Sequence, residues 1–157
     1  LLTVEIVEKL ILKGYNVQLD MFGNGAEFNV VKQYISKNKL HKNVILHGNQ
    51  SKEVVKKAFQ ESHFLVFISK SEGWPKVVAE AMFWSCLPIS SRISCIPFML
   101  GNGDRGSIVN PDITEIVTEL EKYLGNESIY LKKVIKAKDW SQEFILEKFE
   151  NEIKKIL

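Results

Sequence analysis

Residues Phe64-Leu65-Val66-Phe67-Ile68 form an unbroken apolar run between a helical stretch and a glycine-containing loop. A strand with one wet face alternates apolar and polar side chains, whereas a strand covered on both faces has no reason to. The run therefore reads as a parallel strand sandwiched between helices. That assignment constrains everything around it, because parallel neighbours can be joined only through crossovers that are usually helical.

The flanking sequence meets the requirement. Leu2, Ile6 and Leu10, with Val7 and Ile11 beside them, recur at helical spacing and Gly14 stops the pattern, giving a helix over 2–13. The segment 17–22 reads as a strand ending at Gly23-Asn24-Gly25, and 26–38 as a helix with Val30, Val31, Tyr34 and Ile35 inward. Val44-Ile45-Leu46 is a short strand. Ser51 caps a helix that turns Val54, Val55, Ala58 and Phe59 inward, leading into the apolar run. Beyond it, a helix runs from Pro75 to Trp84 or Ser85, a strand covers 87–91 and a turn-rich loop spans 92–106. A last strand at 107–109 precedes helices over 113–124, 128–138 and 141–157. With no internal repeat or linker, residues 1–157 are expected to form one α/β domain, a single doubly wound, Rossmann-like parallel sheet flanked by helices.

Composition narrows the function classes. The formal net charge of +2 is spread over 21 basic and 19 acidic side chains, which argues against a nucleic-acid partner. The basic clusters Lys37, Lys39, His41, Lys42 and Lys132, Lys133, Lys136, Lys138 read first as solvated faces, with a membrane-surface or acidic-ligand role as the alternative. No apolar stretch approaches the roughly 20 residues that cross a bilayer, and no signal segment is present. Cys86 and Cys95 lack CxxC spacing and suit a reducing compartment, so a cytoplasmic location is expected. No His/Cys ligand set, HExxH or DxD-like pair points to a metal, and no Ser-His-Asp arrangement has plausible placement.

In an open parallel sheet, ligands bind beyond the carboxyl ends of the strands. Three loops qualify: Gly23-Asn24-Gly25, His47-Gly48-Asn49 and Ser69 to Pro75. The first lacks the third glycine of a dinucleotide fingerprint, since position 28 is Phe28, and a plain tight turn explains it better. His47 is either structural or a nucleotide contact, while His41 and His63 read as surface or packing residues. In the third loop, Glu72 follows the apolar strand and Gly73-Trp74-Pro75 opens a helix whose first N–H groups lack intrahelical partners, a setting suited to phosphate. Glu80 lies among Val77, Val78, Ala79, Ala81, Met82, Phe83 and Trp84. Such a helix is expected to be buried, which obliges Glu80 to have either a salt bridge, with Arg92 or Arg105, or a ligand such as sugar hydroxyls.

These residues resemble the C-terminal domain of the group 1 family of retaining glycosyltransferases, the GT-B type built from two Rossmann-like domains. Ser69-Lys70-Ser71-Glu72-Gly73-Trp74-Pro75-Lys76-Val77-Val78-Ala79-Glu80-Ala81-Met82 is similar to the family's E-x7-E signature. Leu87-Pro88-Ile89, Ile96-Pro97, Gly106 to Asp112 and Trp140-Ser141 follow in the family's order, and Gly23-Asn24-Gly25 and His47-Gly48 occupy its upstream glycine positions. Three departures stand out: Ser94 and Cys95 replace paired glycines, Phe98 replaces a glutamate, and Trp84-Ser85 replaces small residues and glycine.

The resemblance implies sugar transfer with retention from a UDP- or GDP-type donor, without an obligatory metal or other cofactor, in polysaccharide or glycolipid synthesis. Glu72 would be the catalytic carboxylate beside the anomeric centre, and Glu80 would bind the ribose. The rest of the donor site would comprise Gly23, Gly25, His47, Gly48, Ser69, Gly73, Trp74, Pro75, Lys76 and Val77. It also implies an earlier strand carrying Gly-Arg and a following Lys, and an N-terminal domain that binds a glycan or lipid-linked acceptor, with peripheral membrane contact of the parent protein as an option. The alternative is a non-catalytic nucleotide-binding or protein-interaction domain of the same class. Because the chain opens at Leu1-Leu2-Thr3 inside a helical pattern, it is expected to be a piece of a longer protein. Without cations to stabilise the leaving diphosphate, the 157-residue chain alone is expected not to turn over, and a steady rate of glycosyl transfer from it would overturn that expectation.

Overall fold

The computed structural model describes residues 1–144 together with 154 and 155. Strands and helices alternate: α1 (Leu2–Leu12), β1 (Leu19–Phe22), α2 (Phe28–Lys37), β2 (Val44–Gly48), α3 (Lys52–Glu61), β3 (Phe64–Phe67), α4 (Lys76–Phe83), β4 (Leu87–Ser91), α5 (Ile96–Met99), β5 (Ser107–Val109), α6 (Ile113–Leu124) and α7 (Glu127–Ser141). The loop expected over 92–106 thus contains the short α5 and a 3₁₀ turn at Gly101–Gly103. Most of the helix expected over 141–157 lies outside the described residues.

All strand pairing is parallel, as the sequence requires, but the ladder comes in two groups. β1 pairs with β2, and β3, β4 and β5 pair in that order. The expected single continuous sheet is therefore interrupted, because β1 and β3 each use only one edge. Helix α1 ties the groups together through two faces: Ile6 and Leu10 enter the larger core with Met82, Leu87, Ile89 and Ile116, while Val4 and Val7 enter a smaller one with Val31, Ile35 and Val44. Val17, just before β1, packs against both. Each fully buried aliphatic side chain contributes about 1.5–3 kcal/mol, so a helix feeding two cores holds the halves firmly.

The interruption moves the centre of the fold. β3, the apolar run expected to be covered on both faces, is only half-buried at every position, and β4 is the strand buried throughout. Helix α3 buries no residue and its Val54 is 42% exposed. In α2 the inward stripe is Val31 and Ile35, one helical turn apart, so Val30 falls about 100° away and stays exposed.

Pro88 sits inside the fully covered β4, where a missing N–H would normally break a ladder. The Leu87 N–H bonds the His63 carbonyl on the β3 side, so residue 88 faces β5, and pairing with β5 begins only at Ile89. The proline falls where no hydrogen bond is required. The same geometry makes Gly106 necessary, since a Cβ there would lie 2.6 Å from the Pro88 carbonyl oxygen.

Helix α4 ends in a Schellman motif: the Cys86 N–H bonds Ala81 O at 2.8 Å and the Ser85 N–H bonds Met82 O at 3.1 Å. Ser85 takes a left-handed φ of 68°, where glycine is the usual residue. Just beyond it, burial pushes the Cys86 thiol up to about 12, leaving it inert.

Two substitutions should act in opposite directions. Gly106→Ala should destabilise the fold by about 1–3 kcal/mol through its clash with backbone, and Ser85→Gly should stabilise it by about 1 kcal/mol by removing left-handed strain. Urea denaturation of the two variants checks both signs.

Candidate functional site

The loop from Ile68 to Pro75 leaves β3 at its carboxyl end and is pinned by hydroxyl groups. Ser91, buried at the end of β4, accepts the Ser69 N–H at 3.1 Å and donates to the Ser69 carbonyl at 2.7 Å. One side chain thereby satisfies both backbone groups of a residue two positions past the end of β3. The Ser69 hydroxyl has two acceptors in reach, Ser71 O at 3.2 Å and Glu72 Oε1 at 3.1 Å. Further along, the Ser94 hydroxyl donates to Gly73 O at 2.6 Å, and the Cys95 thiol approaches the same oxygen at 3.5 Å. Ser69, Glu72 and Gly73 are thus held against the β4 end and the turn after it.

Pro75 is the N-cap of α4 rather than its first helical residue, is buried, and offers no side chain to the helix amides. Val78 N–H bonds Pro75 O at 3.0 Å, but the N–H groups of Lys76 and Val77 have no acceptor among the described residues. Helices α3, α6 and α7 differ: the side chains of Ser51, Asp112 and Asn126 cap them. The open amides and the partial positive charge of α4 therefore remain available for an anion.

Glu80 departs from the sequence-based expectation. It is exposed, and its carboxylate makes no hydrogen bond or ion pair among the described residues. Helix α4 buries Val78, Ala81 and Met82, while Val77, Ala79, Phe83 and Trp84 are only half-covered, so a polar stripe containing Lys76 and Glu80 faces outward. The inference that burial obliges Glu80 to find a partner is therefore wrong. Neither arginine engages it: Arg92 is exposed, and Arg105 donates to Met99 O and Phe98 O while lying 4.7 Å over the Trp140 ring. Phe98 packs edge-on against Trp140.

The upstream candidates form a second group at the end of β1 and β2. Gly23, with φ of 100°, donates its N–H to Gly48 O at 2.7 Å, closing the turn that continues through Asn24 and Gly25. His47 contacts Asp20 Oδ1 through Nε2 at 2.6 Å and stacks on Phe22 with ring centroids 4.6 Å apart. Both residues thus have structural work within the sheet. No hydrogen bond, ion pair or ring contact among the described residues joins this group to the Ser69–Val77 group. Sequence reasoning missed Ser91; the only signal for it was a pair of hydroxyl residues, Ser90-Ser91, closing an otherwise apolar strand.

Comparison with known proteins agrees with this architecture. An uncharacterized glycosyltransferase of Methanocaldococcus jannaschii is 26% identical over 149 residues, covering 92% of this chain and 41% of the relative. A sucrose-phosphate synthase from Thermosynechococcus elongatus superposes with a TM-score of 0.78 at 18% identity, over 98% of this chain and 41% of that one. Anabaena HepE, solved in complex with UDP and glucose, gives a TM-score of 0.79 at 16% identity, over 97% of this chain and 43% of that one. The chain therefore spans less than half the length of each of these three proteins, and its fold is that of one portion of a GT-B glycosyltransferase. The sequence pattern of the family described as "Glycosyl transferases group 1" matches residues 2–142, nearly the whole chain, and the protein belongs to that family.

Proposed function

We propose that this chain is the C-terminal, donor-binding domain of a glycosyltransferase that transfers a sugar from a UDP- or GDP-type donor with retention. The observation that carries the reading is the uncapped start of α4, two free amides beside the exposed carboxylates of Glu72 and Glu80. A diphosphate accepts hydrogen bonds and carries negative charge, matching the amides of Lys76 and Val77. The carboxylates accept hydrogen bonds from hydroxyl donors, so Glu80 takes the ribose and Glu72 the donor sugar near its anomeric carbon. HepE binds UDP and glucose on the same fold, which supports a nucleoside diphosphate here. No metal is assigned a role, since helix amides and cations can carry the leaving diphosphate.

The parent protein is proposed to supply what this chain lacks. β1 and β3 each leave one edge unpaired, and both are half-buried along their length, which supports one further parallel strand between them. A second domain would bring a glycan or lipid-linked acceptor, placing the protein in polysaccharide or glycolipid synthesis in the cytoplasm, with a peripheral membrane contact. No helix among the described residues is long and apolar enough to cross a membrane.

A second reading, a non-catalytic nucleotide-binding or protein-interaction domain, gains from the exposure of Glu80, which removes the physical need for a ligand there. Titrating UDP, GDP and their sugars into the protein, with amide NMR as readout, separates the two. The donor reading expects shifts concentrated from Gly73 to Val77, and a loss of affinity of about 10-fold or more in Glu80→Ala, from loss of hydrogen bonds to a charged acceptor. Absence of binding in a form that includes the preceding strand would leave only the protein-interaction form of the second reading standing.

A further inference from the structure

The turn between β4 and α5 contains an unexplained cost. Ser94 is exposed and takes a φ of 43°, a left-handed conformation that glycine would occupy without strain. Strain of this kind persists only where the surroundings hold it and recurs at sites of function. What holds it here is the 2.6 Å hydrogen bond from the Ser94 hydroxyl to the Gly73 carbonyl, with the Cys95 thiol at 3.5 Å from the same oxygen. A glycine at 94 would relieve the strain and lose the hydroxyl.

We propose that Ser94 is a positioning residue that locks the Gly73–Trp74 peptide so that the Trp74 N–H faces the donor diphosphate. The argument follows from peptide planarity. The described chain has no cis peptide bonds, so the Gly73 carbonyl and the Trp74 N–H point in opposite directions within one plane. Anchoring the carbonyl at Ser94 aims the N–H away from the α5 turn, adding a third donor to the open amides of Lys76 and Val77. Gly73 has no Cβ to resist rotation of this peptide. Released, it could turn the carbonyl oxygen toward an anion and oppose binding. The loop is otherwise fixed at its far end, where Ser91 holds Ser69, so Ser94 supplies the second anchor on the ligand side.

The inference rests on the donor-binding reading, and its test keeps the two apart. In the full-length protein, UDP and GDP affinities, melting temperature and the Trp74 amide resonance are measured for Ser94→Ala, Ser94→Gly and Ser94→Thr. Ser94→Ala and Ser94→Gly should weaken nucleoside diphosphate binding by about fivefold, the loss of one hydrogen bond, and abolish the shift of the Trp74 amide on adding UDP. Ser94→Thr, which keeps the hydroxyl but adds a β-branch at a left-handed φ, should melt lower than the parent while its affinity, measured well below its melting temperature, stays within about twofold. Ser94→Gly should melt no lower than the parent while binding more weakly, which a purely structural role cannot produce. Unchanged affinity in the alanine and glycine variants, or losses that follow melting temperature across the series, would overturn the proposal and leave the donor reading intact. If the unaltered protein binds neither UDP nor GDP, both fall.

Discussion

The Ser91 hydroxyl bonds both the N–H and the carbonyl of Ser69, and the ligand edge of the domain depends on that pair of contacts. β3 pairs with β4 only as far as Phe67, so the chain leaving it must find new partners for its backbone while Ile68 and Ser69 are still half-buried. Each such group left unpaired would cost about 1–3 kcal/mol. A hydroxyl can donate and accept at once, and at the end of a fully buried strand it is held in one place. The loop that follows begins from a fixed point, and Glu72 lies three residues beyond it within reach of the Ser69 hydroxyl.

Helix α1 is the other organising element, because the two strand groups share no hydrogen bonds and must be related through packing. Its two apolar faces serve two cores, which explains why its sequence shows neighbouring pairs, Ile6-Val7 and Leu10-Ile11, rather than one narrow stripe. The unshared edges of β1 and β3 then account for three features at once. β3 is half-buried despite an entirely apolar sequence, α3 buries nothing, and β4 takes over as the central strand.

The order of elements was legible because alternation of helical and apolar segments leaves few topologies for a parallel sheet, and the candidate site was placed in a loop because such sheets bind ligands at one edge. What escaped was anything that depends on a neighbour. The apolar run Phe64–Ile68 reports that its faces are made for covering, but its edge depends on a strand elsewhere. Glu80 looked buried because its sequence neighbours are apolar. A helix of eight residues, however, covers only the stripe that meets the core, here Val78, Ala81 and Met82. The roles of Ser91 and Ser94 needed contacts 22 and 21 residues away in sequence, which no local pattern encodes.

The exposure of Glu80 changes the physics of the site without removing its chemistry. A buried carboxylate must be stabilised in the free protein, and that stabilisation is lost when a ligand displaces the partner. An exposed one carries no such penalty, and under the proposed donor-binding reading it exchanges water for sugar hydroxyls on binding. The uncapped amides of α4 follow the same logic, since solvent satisfies them in the unbound protein and the proposed diphosphate would replace it. Rigidity is instead supplied by hydroxyl contacts: Ser91 and Ser94 hold the backbone at Ser69 and Gly73, and the Ser69 hydroxyl reaches the Glu72 carboxylate. Such a site pays little in the unbound state and keeps its loop preorganised, so binding free energy is not spent on ordering the chain.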